Sequence, residues 1–170
     1  MSQENLVKKP FYSIVIPTKN RATLLKDLID SIIFQDFDDY ELIVADNSDN
    51  LLVQGLLDEH KNEVRLINVK TGDLNMADNW EKAINSASGR FLLVFSDKVI
   101  LKQGSLRFLK DYIEQNNPDC ITWNIDYYVD DINVHYDKAT IEEDQIISSD
   151  ELFRDILKGD IFSFDRSAFH

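Results

Sequence analysis

Residues 12–21, Tyr12-Ser-Ile-Val-Ile-Pro-Thr-Lys-Asn-Arg21, join a short apolar segment to a polar, basic turn. The apolar run from Ser13 to Ile16 predicts a buried strand, and we expect it to end at Pro17 because proline cannot donate a hydrogen bond to a sheet. An amphipathic helix follows the turn. Open α/β sheets bind anionic ligands where a strand gives way to a helix N-terminus. We therefore expect residues 17–21 to hold part of a nucleotide.

The composition is typical of an acidic, globular, single-domain protein. The chain has 170 residues, enough for one sizeable core, and 44% of them are hydrophobic. The formal net charge of -13 argues against nucleic acid as a partner, so a local group of cations must hold any anionic ligand. The one cysteine, Cys120, excludes an intramolecular disulfide, and we expect it in the core.

The sequence shows no signal for the membrane or for secretion. No apolar run approaches the roughly 20 residues that span a bilayer, and the N-terminus lacks a signal-peptide pattern. We therefore predict no transmembrane segment and a cytoplasmic location. A peripheral position at the inner face of the membrane is compatible with this prediction.

Alternating apolar segments predict repeated β-α units. The predicted strands cover residues 13–16, 40–45, 64–69 and 91–95. The predicted helices cover residues 23–34, 52–60, 76–86 and 105–115. Repeated β-α units form a parallel sheet with helices on both faces, and the loops after the strands line a crevice at one edge. Neither Gly-x-Gly-x-x-Gly nor Gly-x-x-x-x-Gly-Lys-[Ser/Thr] is present, which disfavours a Rossmann dinucleotide site and a P-loop.

The last third of the chain follows a different pattern. Apolar and polar residues alternate over 121–129 and 132–136, which predicts a hairpin whose turn lies at Asp130-Asp131. Further on, Ser148-x-x-Glu151 is a capping box that predicts the start of a final helix.

Five segments in this order resemble the family 2 glycosyltransferases, which have the GT-A fold. They are Ser13-Ile-Val-Ile-Pro-Thr-Lys-Asn-Arg21, Leu24-Leu-Lys-Asp-Leu-Ile-Asp-Ser-Ile32 with Gln35, Tyr40-Glu-Leu-Ile-Val-Ala-Asp-Asn-Ser48, Asn75-Met-Ala-Asp-Asn-Trp-Glu-Lys-Ala-Ile84, and Ala87-Ser-Gly-Arg-Phe-Leu-Leu-Val-Phe-Ser-Asp97. The resemblance covers residues 11–110, and beyond them only the architecture is similar. It implies a Rossmann-like, mostly parallel sheet in one domain over 11–170, short or truncated in its acceptor half, after a flexible tail of residues 1–10.

The resemblance also implies a nucleotide-diphosphate sugar site in the crevice. The implied residues are Pro17, Thr18, Asn20, Arg21, Asp46, Asn79, Asp97 and Lys98. Pro17, Thr18 and Asn20 would lie against the base and ribose. Asp46 would accept a hydrogen bond from a ring N–H, which suits an acceptor-only carboxylate, and Asn79 lies on a flanking helix. Simpler roles stay open, since Asp46-Asn-Ser is common in turns and the cations of the first turn also suit a solvated surface.

The sequence departs from the family pattern at the metal motif. Most members follow the fourth strand with Asp-x-Asp, whose carboxylates hold Mg²⁺ or Mn²⁺ on the diphosphate, whereas this chain has Ser96-Asp97-Lys98-Val99-Ile100. Three explanations are open: Asp97 binds the metal alone, Lys98 supplies the positive charge so that donor binding is metal-independent, or the site is degenerate and inactive.

The resemblance implies an enzyme of polysaccharide biosynthesis that transfers a sugar from the nucleotide donor to a saccharide or lipid-linked acceptor. Such a reaction needs a general base for the acceptor hydroxyl, and the candidates are Asp126, Asp150 and Asp160, each of which also fits a surface or capping role. The alternative is a catalytically inactive GT-A-like domain that binds nucleotide or serves as a scaffold.

Overall fold

The computed structural model describes residues 8–62, 65–121, 128–129, 131–135, 148 and 150–151. The chain divides into two compact units, Met1–Asn116 and Asn117–His170. The first unit alternates strands with helices in the order β1 (Tyr12–Thr18), α1 (Ala22–Ile33), β2 (Tyr40–Asp46), α2 (Leu52–His60), β3 (Leu66–Lys70), α3 (Met76–Asn85), β4 (Phe91–Val94) and α4 (Ser105–Asn116). The predicted α/β class is confirmed.

The first unit is built on one parallel sheet with the strand order β3-β2-β1-β4. The chain moves outward from β1 through β2 to β3 and then returns to place β4 on the other side of β1. Ligands of open α/β sheets bind at such a switch point, outside the carboxyl ends of the strands. The fold therefore places the crevice at the carboxyl ends of β1, β2 and β4.

The prediction that β1 ends at Pro17 is wrong, because the strand continues to Thr18, which pairs with Asp46 on β2. The carbonyl of Val15 points toward β4 and accepts a hydrogen bond from the backbone nitrogen of Phe95. Because backbone groups two residues apart in a strand point to the same side, the nitrogen of Pro17 also points toward β4. β4 ends at Val94. The missing N–H of Pro17 thus faces a position beyond the β1–β4 ladder and costs no hydrogen bond.

The two central strands, β1 and β2, are buried at every residue, as expected for strands covered by helices on both faces. The helices α1 and α2 each bury one face, and the buried residues are Leu25, Leu28, Ile29 and Ile32 in α1 and Val53, Leu56, Leu57 and His60 in α2. Their spacing of three and four residues is that of an amphipathic helix against a sheet.

A fully buried carboxylate, Glu41, lies near the amino ends of the strands. Ser13 Oγ donates to Glu41 Oε1 at 2.6 Å, and Ser88 donates to the same oxygen from its backbone nitrogen at 2.7 Å and its hydroxyl at 2.9 Å. The Arg65 guanidinium lies 3.6 Å from Oε2. Burial raises the pKa of Glu41, but the hydrogen bonds from Ser13 and Ser88 and the charge of Arg65 outweigh it and lower the pKa below its ordinary value.

Gly89 packs directly against the same cluster. Its backbone nitrogen donates to Ser13 Oγ at 2.7 Å. A Cβ at Gly89 would lie 2.6 Å from the Ser13 backbone nitrogen and 2.7 Å from its hydroxyl oxygen, so no larger residue fits without moving β1. The loop between α3 and β4 is thereby held close to β1.

The second unit contains a short antiparallel hairpin of β5 (Tyr128–Val129) and β6 (Asp131–His135). Asp131 lies in β6 and not in the predicted turn. Ser148 Oγ accepts from the Glu151 backbone nitrogen at 3.2 Å, as the capping box predicts, and the rest of the predicted final helix lies outside the described residues. The expected burial of Cys120 is wrong, because its side chain is exposed.

Among the described residues, none of the helices is both long enough and apolar enough to cross a membrane.

Candidate functional site

Buried polar residues gather at the carboxyl edge of the sheet, at the predicted crevice. They are Thr18, Asp46, Asn47, Ser48, Asn79 and Asp97. Burying polar and charged groups is unfavourable unless each finds a partner, and among the described residues no buried side-chain nitrogen or oxygen is left without one. The cluster is therefore fully hydrogen-bonded, and it is built from the ends of β1 and β2, the loops after β2 and β4, and α3.

Thr18 links the end of β1 to Asp97, which lies three residues beyond the end of β4. Its hydroxyl donates to Asp97 Oδ2 at 2.7 Å, and the Arg21 guanidinium donates to Asp97 Oδ1 at 3.1 Å. The Asp97 side chain is 1% exposed, whereas that of Arg21 is 49% exposed. One buried carboxylate is thus held between a hydroxyl and a cation that reaches it from solvent.

Asp46 at the end of β2 has a similar arrangement with a different cation. Lys70, at the end of β3, is in register with Asp46 and donates from Nζ to Asp46 Oδ2 at 2.6 Å. The backbone nitrogen of Ser48 donates to the other oxygen at 2.9 Å. The Asp46 side chain is fully buried, and the Lys70 side chain is 46% exposed.

Asn20 joins the loop after β1 to the loop after β2. It has a positive φ of 58°, a conformation that asparagine tolerates better than most residues. Its backbone nitrogen donates to Ser48 Oγ at 2.8 Å, and its side-chain oxygen accepts from Asn50 Nδ2 at 2.9 Å and from the Asp49 backbone at 3.3 Å. These contacts fix the position of the loop that follows Asp46.

Asn79 lies on α3 and connects it to the loops after β2 and β3. Its side chain is buried, accepts from Thr71 Oγ1 at 2.7 Å and lies 3.5 Å from the Ala45 carbonyl. Asn47 closes the same junction by accepting from the Leu74 backbone nitrogen at 3.0 Å and donating to the Leu74 carbonyl at 2.7 Å.

The structure brings together seven of the eight implied residues, and the network links Pro17 to the rest through the backbone of β1. Lys98 adjoins Asp97 but is exposed, with no hydrogen bond or ion pair to the described part of the chain. Of the candidate bases, Asp150 is exposed and helical, while Asp126 and Asp160 lie outside the described residues. Lys70 was not predicted, although a lysine at the end of the strand after Asp46 was a usable signal.

An open cavity of about 540 Å³ lies at the other edge of the sheet, among the loops that precede the strands. Its two arginines already face carboxylates: Arg107 Nε lies 3.0 Å from Asp36 Oδ2, and Arg65 lies 3.6 Å from Glu41. None of the residues implied by the sequence lines this cavity.

Comparison with known families identifies the chain's relatives. A sequence model of glycosyl transferase family 2 matches residues 13–168. The chain belongs to glycosyl transferase family 2. This family 2 chain is 26% identical over 160 residues to the GalNAc(5)-diNAcBac-PP-undecaprenol beta-1,3-glucosyltransferase of Campylobacter jejuni, a match that covers 91% of this chain and 51% of that protein.

A PGL/p-HBAD biosynthesis glycosyltransferase of Mycobacterium bovis is 27% identical to the family 2 chain over 118 residues, which cover 67% of this chain and 46% of that protein. The chain thus spans about half the length of the curated relatives it matches.

Solved structures show the same fold. Crystal structures of S. aureus TarS 1-349 in complex with UDP and with UDP-GlcNAc superpose with TM-scores of 0.58 and 0.57 at 22% identity, over 65% of this chain and 33% and 32% of those chains. At this identity the likeness shows the fold alone, and it confirms the GT-A architecture that the sequence implies.

GT-A enzymes commonly use a divalent metal. In this family 2 chain the metal motif offers one acid, Asp97, and both of its oxygens accept from protein groups, one of which is a cation. No group of three His, Cys, Asp or Glu side chains that could hold a metal ion occurs in the described ranges. A lone carboxylate paired with a guanidinium does not fit the two-carboxylate metal motif of the family.

Proposed function

We propose that this family 2 domain transfers a sugar from a nucleotide-diphosphate sugar to a saccharide or lipid-linked acceptor in polysaccharide biosynthesis. The observation that carries the proposal is the placement of Asp46 and Asp97 on either side of Thr18, at the switch point of the sheet. Since neighbouring strands lie about 4.8 Å apart, the ends of β2 and β4 are about 10 Å apart. This separation suits a base at one end and phosphates at the other end of a single nucleotide.

The chemistry around Asp46 favours particular bases. Asp46 offers an acceptor and Lys70 a donor beside it, since the two are 2.6 Å apart. A base edge with a ring N–H next to a carbonyl matches that pair, which describes uracil, thymine and guanine. Cytosine presents a ring nitrogen acceptor in that place and does not match. We therefore propose UDP, dTDP or GDP sugars as donors and not CDP sugars.

A thermal-shift panel tests the donor site. UDP, GDP, dTDP and CDP are each added to the 170-residue chain, with and without Mn²⁺. We expect at least one of the first three to raise the midpoint of unfolding, because a ligand that binds only the folded state stabilises it, and CDP to leave it unchanged. If none of the four nucleotides shifts the midpoint, the donor-site proposal is wrong.

Catalysis needs a separate readout from binding. Release of the nucleoside diphosphate from the sugar nucleotide that binds, in the presence of saccharide or lipid-linked acceptors, measures transfer. Binding without release would instead support the inactive, nucleotide-binding alternative.

The acceptor side of the proposal rests on the family alone. The name of the Campylobacter jejuni relative specifies a lipid-linked acceptor, and we propose the same class here, at the cytoplasmic face of the membrane. Replacing Asp126, Asp150 and Asp160 singly by Asn identifies the general base as the one variant that binds donor normally and fails to transfer. Normal transfer by all three variants would exclude all three.

A further inference from the structure

The charge balance around Asp97 differs from that of a metal site. Asp97 is buried and acidic, Arg21 contacts it at 3.1 Å, and Lys98 adjoins it in the sequence. Arg21 balances the charge of Asp97, and Lys98 follows Asp97 in the sequence, within the stretch where a metal motif carries a second carboxylate. Cations at this place attract a diphosphate directly and repel Mg²⁺ or Mn²⁺.

The contacts of Arg21 and Thr18 compete with a metal for Asp97. Mg²⁺ lies about 2.0–2.1 Å from its ligands and requires a nearly octahedral shell. Arg21 donates to Oδ1, and the Thr18 hydroxyl donates to Oδ2. A metal bound to this carboxylate, which is 1% exposed, would bring its positive charge next to the guanidinium of Arg21.

Arg21 is nevertheless open on its other side. Half of its side chain is exposed, and the one contact to Asp97 uses a single N–H of a planar group that carries five. A guanidinium held at one edge by a carboxylate presents its remaining N–H groups in a fixed fork, which matches phosphate oxygens. Asp97 thus fits the role of orienting Arg21.

We propose that Arg21, oriented by Asp97, binds the donor diphosphate in place of the divalent metal, so that nucleotide binding by this chain is metal-independent. The inference rests on the proposed donor site and assigns to Arg21 the charge that the family supplies with a metal. Lys98 is a secondary cation, because no described residue fixes its side chain.

Binding measurements with and without metal test the inference. Uridine and UDP, or guanosine and GDP if those bind, are titrated into the chain by NMR in EDTA and again in Mn²⁺. We expect UDP to bind more tightly than uridine in EDTA, and Mn²⁺ to change the UDP affinity by less than about threefold.

Substitution of Arg21 separates its role from general electrostatics. We expect Arg21→Gln to weaken UDP about 10- to 100-fold in EDTA, the effect of losing charge-assisted hydrogen bonds, and to change uridine by less than twofold. Arg21→Lys should restore part of the affinity, because it keeps the charge and loses the fork.

Arg107 offers a matched control at the other edge of the sheet. Its Nε lies 3.0 Å from Asp36 Oδ2, and its side chain is 53% exposed. Arg107→Gln makes the same substitution, and we expect it to alter UDP affinity by less than twofold. An equal loss in Arg107→Gln and Arg21→Gln would overturn the specific role of Arg21.

The remaining outcomes are also decisive. UDP binding that disappears in EDTA shows a metal site. So does a gain in UDP affinity from Mn²⁺ that Asp97→Asn abolishes together with UDP binding. Either result overturns the inference while leaving the donor site intact. Failure of every nucleoside and nucleotide to bind overturns the donor site and the inference together.

Discussion

The two edges of the sheet each bury carboxylates, but they stabilise them differently. At the amino edge, Glu41 is bound by Ser13 and by the backbone and hydroxyl of Ser88, while its one cation, Arg65, stays 3.6 Å away. At the carboxyl edge, Asp46 and Asp97 are each paired with a half-exposed cation at 2.6 and 3.1 Å.

The difference separates a structural carboxylate from carboxylates that can exchange partners. The groups around Glu41 are short and fixed in the backbone or close to it, so nothing can leave without breaking the fold. Long, half-exposed cations such as Lys70 and Arg21 can present part of their charge to a ligand, while Ser48 and Thr18 keep their hydrogen bonds to the buried carboxylates. The carboxyl edge is therefore suited to binding, and the amino edge to holding β1, β2 and β4 together.

Removing the amino-edge carboxylate should have the largest effect. We expect Glu41→Ala to lower the free energy of unfolding by about 3–5 kcal/mol, because it leaves the buried Ser13 hydroxyl without its acceptor and removes the acceptor of the partly buried Ser88 donors. Urea denaturation measures this. The control is Asp36→Ala, which removes a surface acid paired with Arg107 and should cost less than about 1 kcal/mol. Equal losses in the two variants would remove the distinction between fixed and surface carboxylates.

Glycine substitutions come next. Gly89→Ala should cost about 1–3 kcal/mol, because its Cβ would lie 2.6 Å from the Ser13 backbone. Gly55→Ala is the matched change inside α2, where a Cβ meets nothing within 4 Å, and it should stabilise by about 0.5–1 kcal/mol. Thermal unfolding of both variants gives the two signs, and a stabilising Gly89→Ala would contradict the close packing.

Neutralising the carboxyl edge should affect binding more than folding. We expect Asp46→Asn to weaken the preferred nucleotide about 10- to 100-fold, the value of a charged hydrogen bond, and to cost only about 1–2 kcal/mol of stability since Lys70 can turn to solvent. Asp73→Asn, at an exposed acid of the same edge, is the control and should change affinity less than twofold. A stability loss as large as that of Glu41→Ala would show that both edges are structural.

The pH dependence of stability gives the smallest effect. The pKa of Glu41 is lower in the folded chain than its ordinary value of 4.5, so the unfolded chain takes up this proton first as the pH falls. The stabilisation that the Glu41 carboxylate gives to the folded chain is complete above pH 4.5 and is lost as the pH falls through the pKa of the folded chain. Urea midpoints between about pH 6 and 3 should fall less steeply in Glu41→Gln than in the parent chain.

Other acids do not confuse this comparison. Lys8 holds the pKa of Asp39 below its usual range in both proteins, so that background is shared. Parallel curves for the parent chain and Glu41→Gln would mean that Glu41 does not titrate differently on folding.

The sequence predicted the fold and the location of the site because both follow from periodicity and strand order. The bounds of α2 and the first residue of α3 were correct. Thr18 lies beside both Asp46 and Asp97 because these residues lie at or just beyond the carboxyl ends of neighbouring parallel strands. What could not be predicted were the pairs between them. Arg21 and Asp97 are 76 residues apart, and their contact depends on side-chain directions that no local pattern specifies.

The error at Pro17 and the omission of Glu41 have related causes. Whether a proline ends a strand depends on how far the neighbouring strand extends on the side of its nitrogen, which is a property of β4 and not of β1. From the sequence, Glu41 resembles a solvent-facing residue of a strand. Only the structure shows that Ser13 and Ser88 lie beside it and donate to its carboxylate.

Pro17 also limits how the late strand β4 can join the sheet during folding. A ladder shifted by two residues toward the carboxyl edge would keep the same faces buried, and it would require a hydrogen bond from the nitrogen of Pro17, which has none to give. That alternative register is therefore left one hydrogen bond short, while the native register loses nothing. Pro17 thus disfavours that register by about the value of one hydrogen bond and favours the register in which Asp97 contacts Thr18.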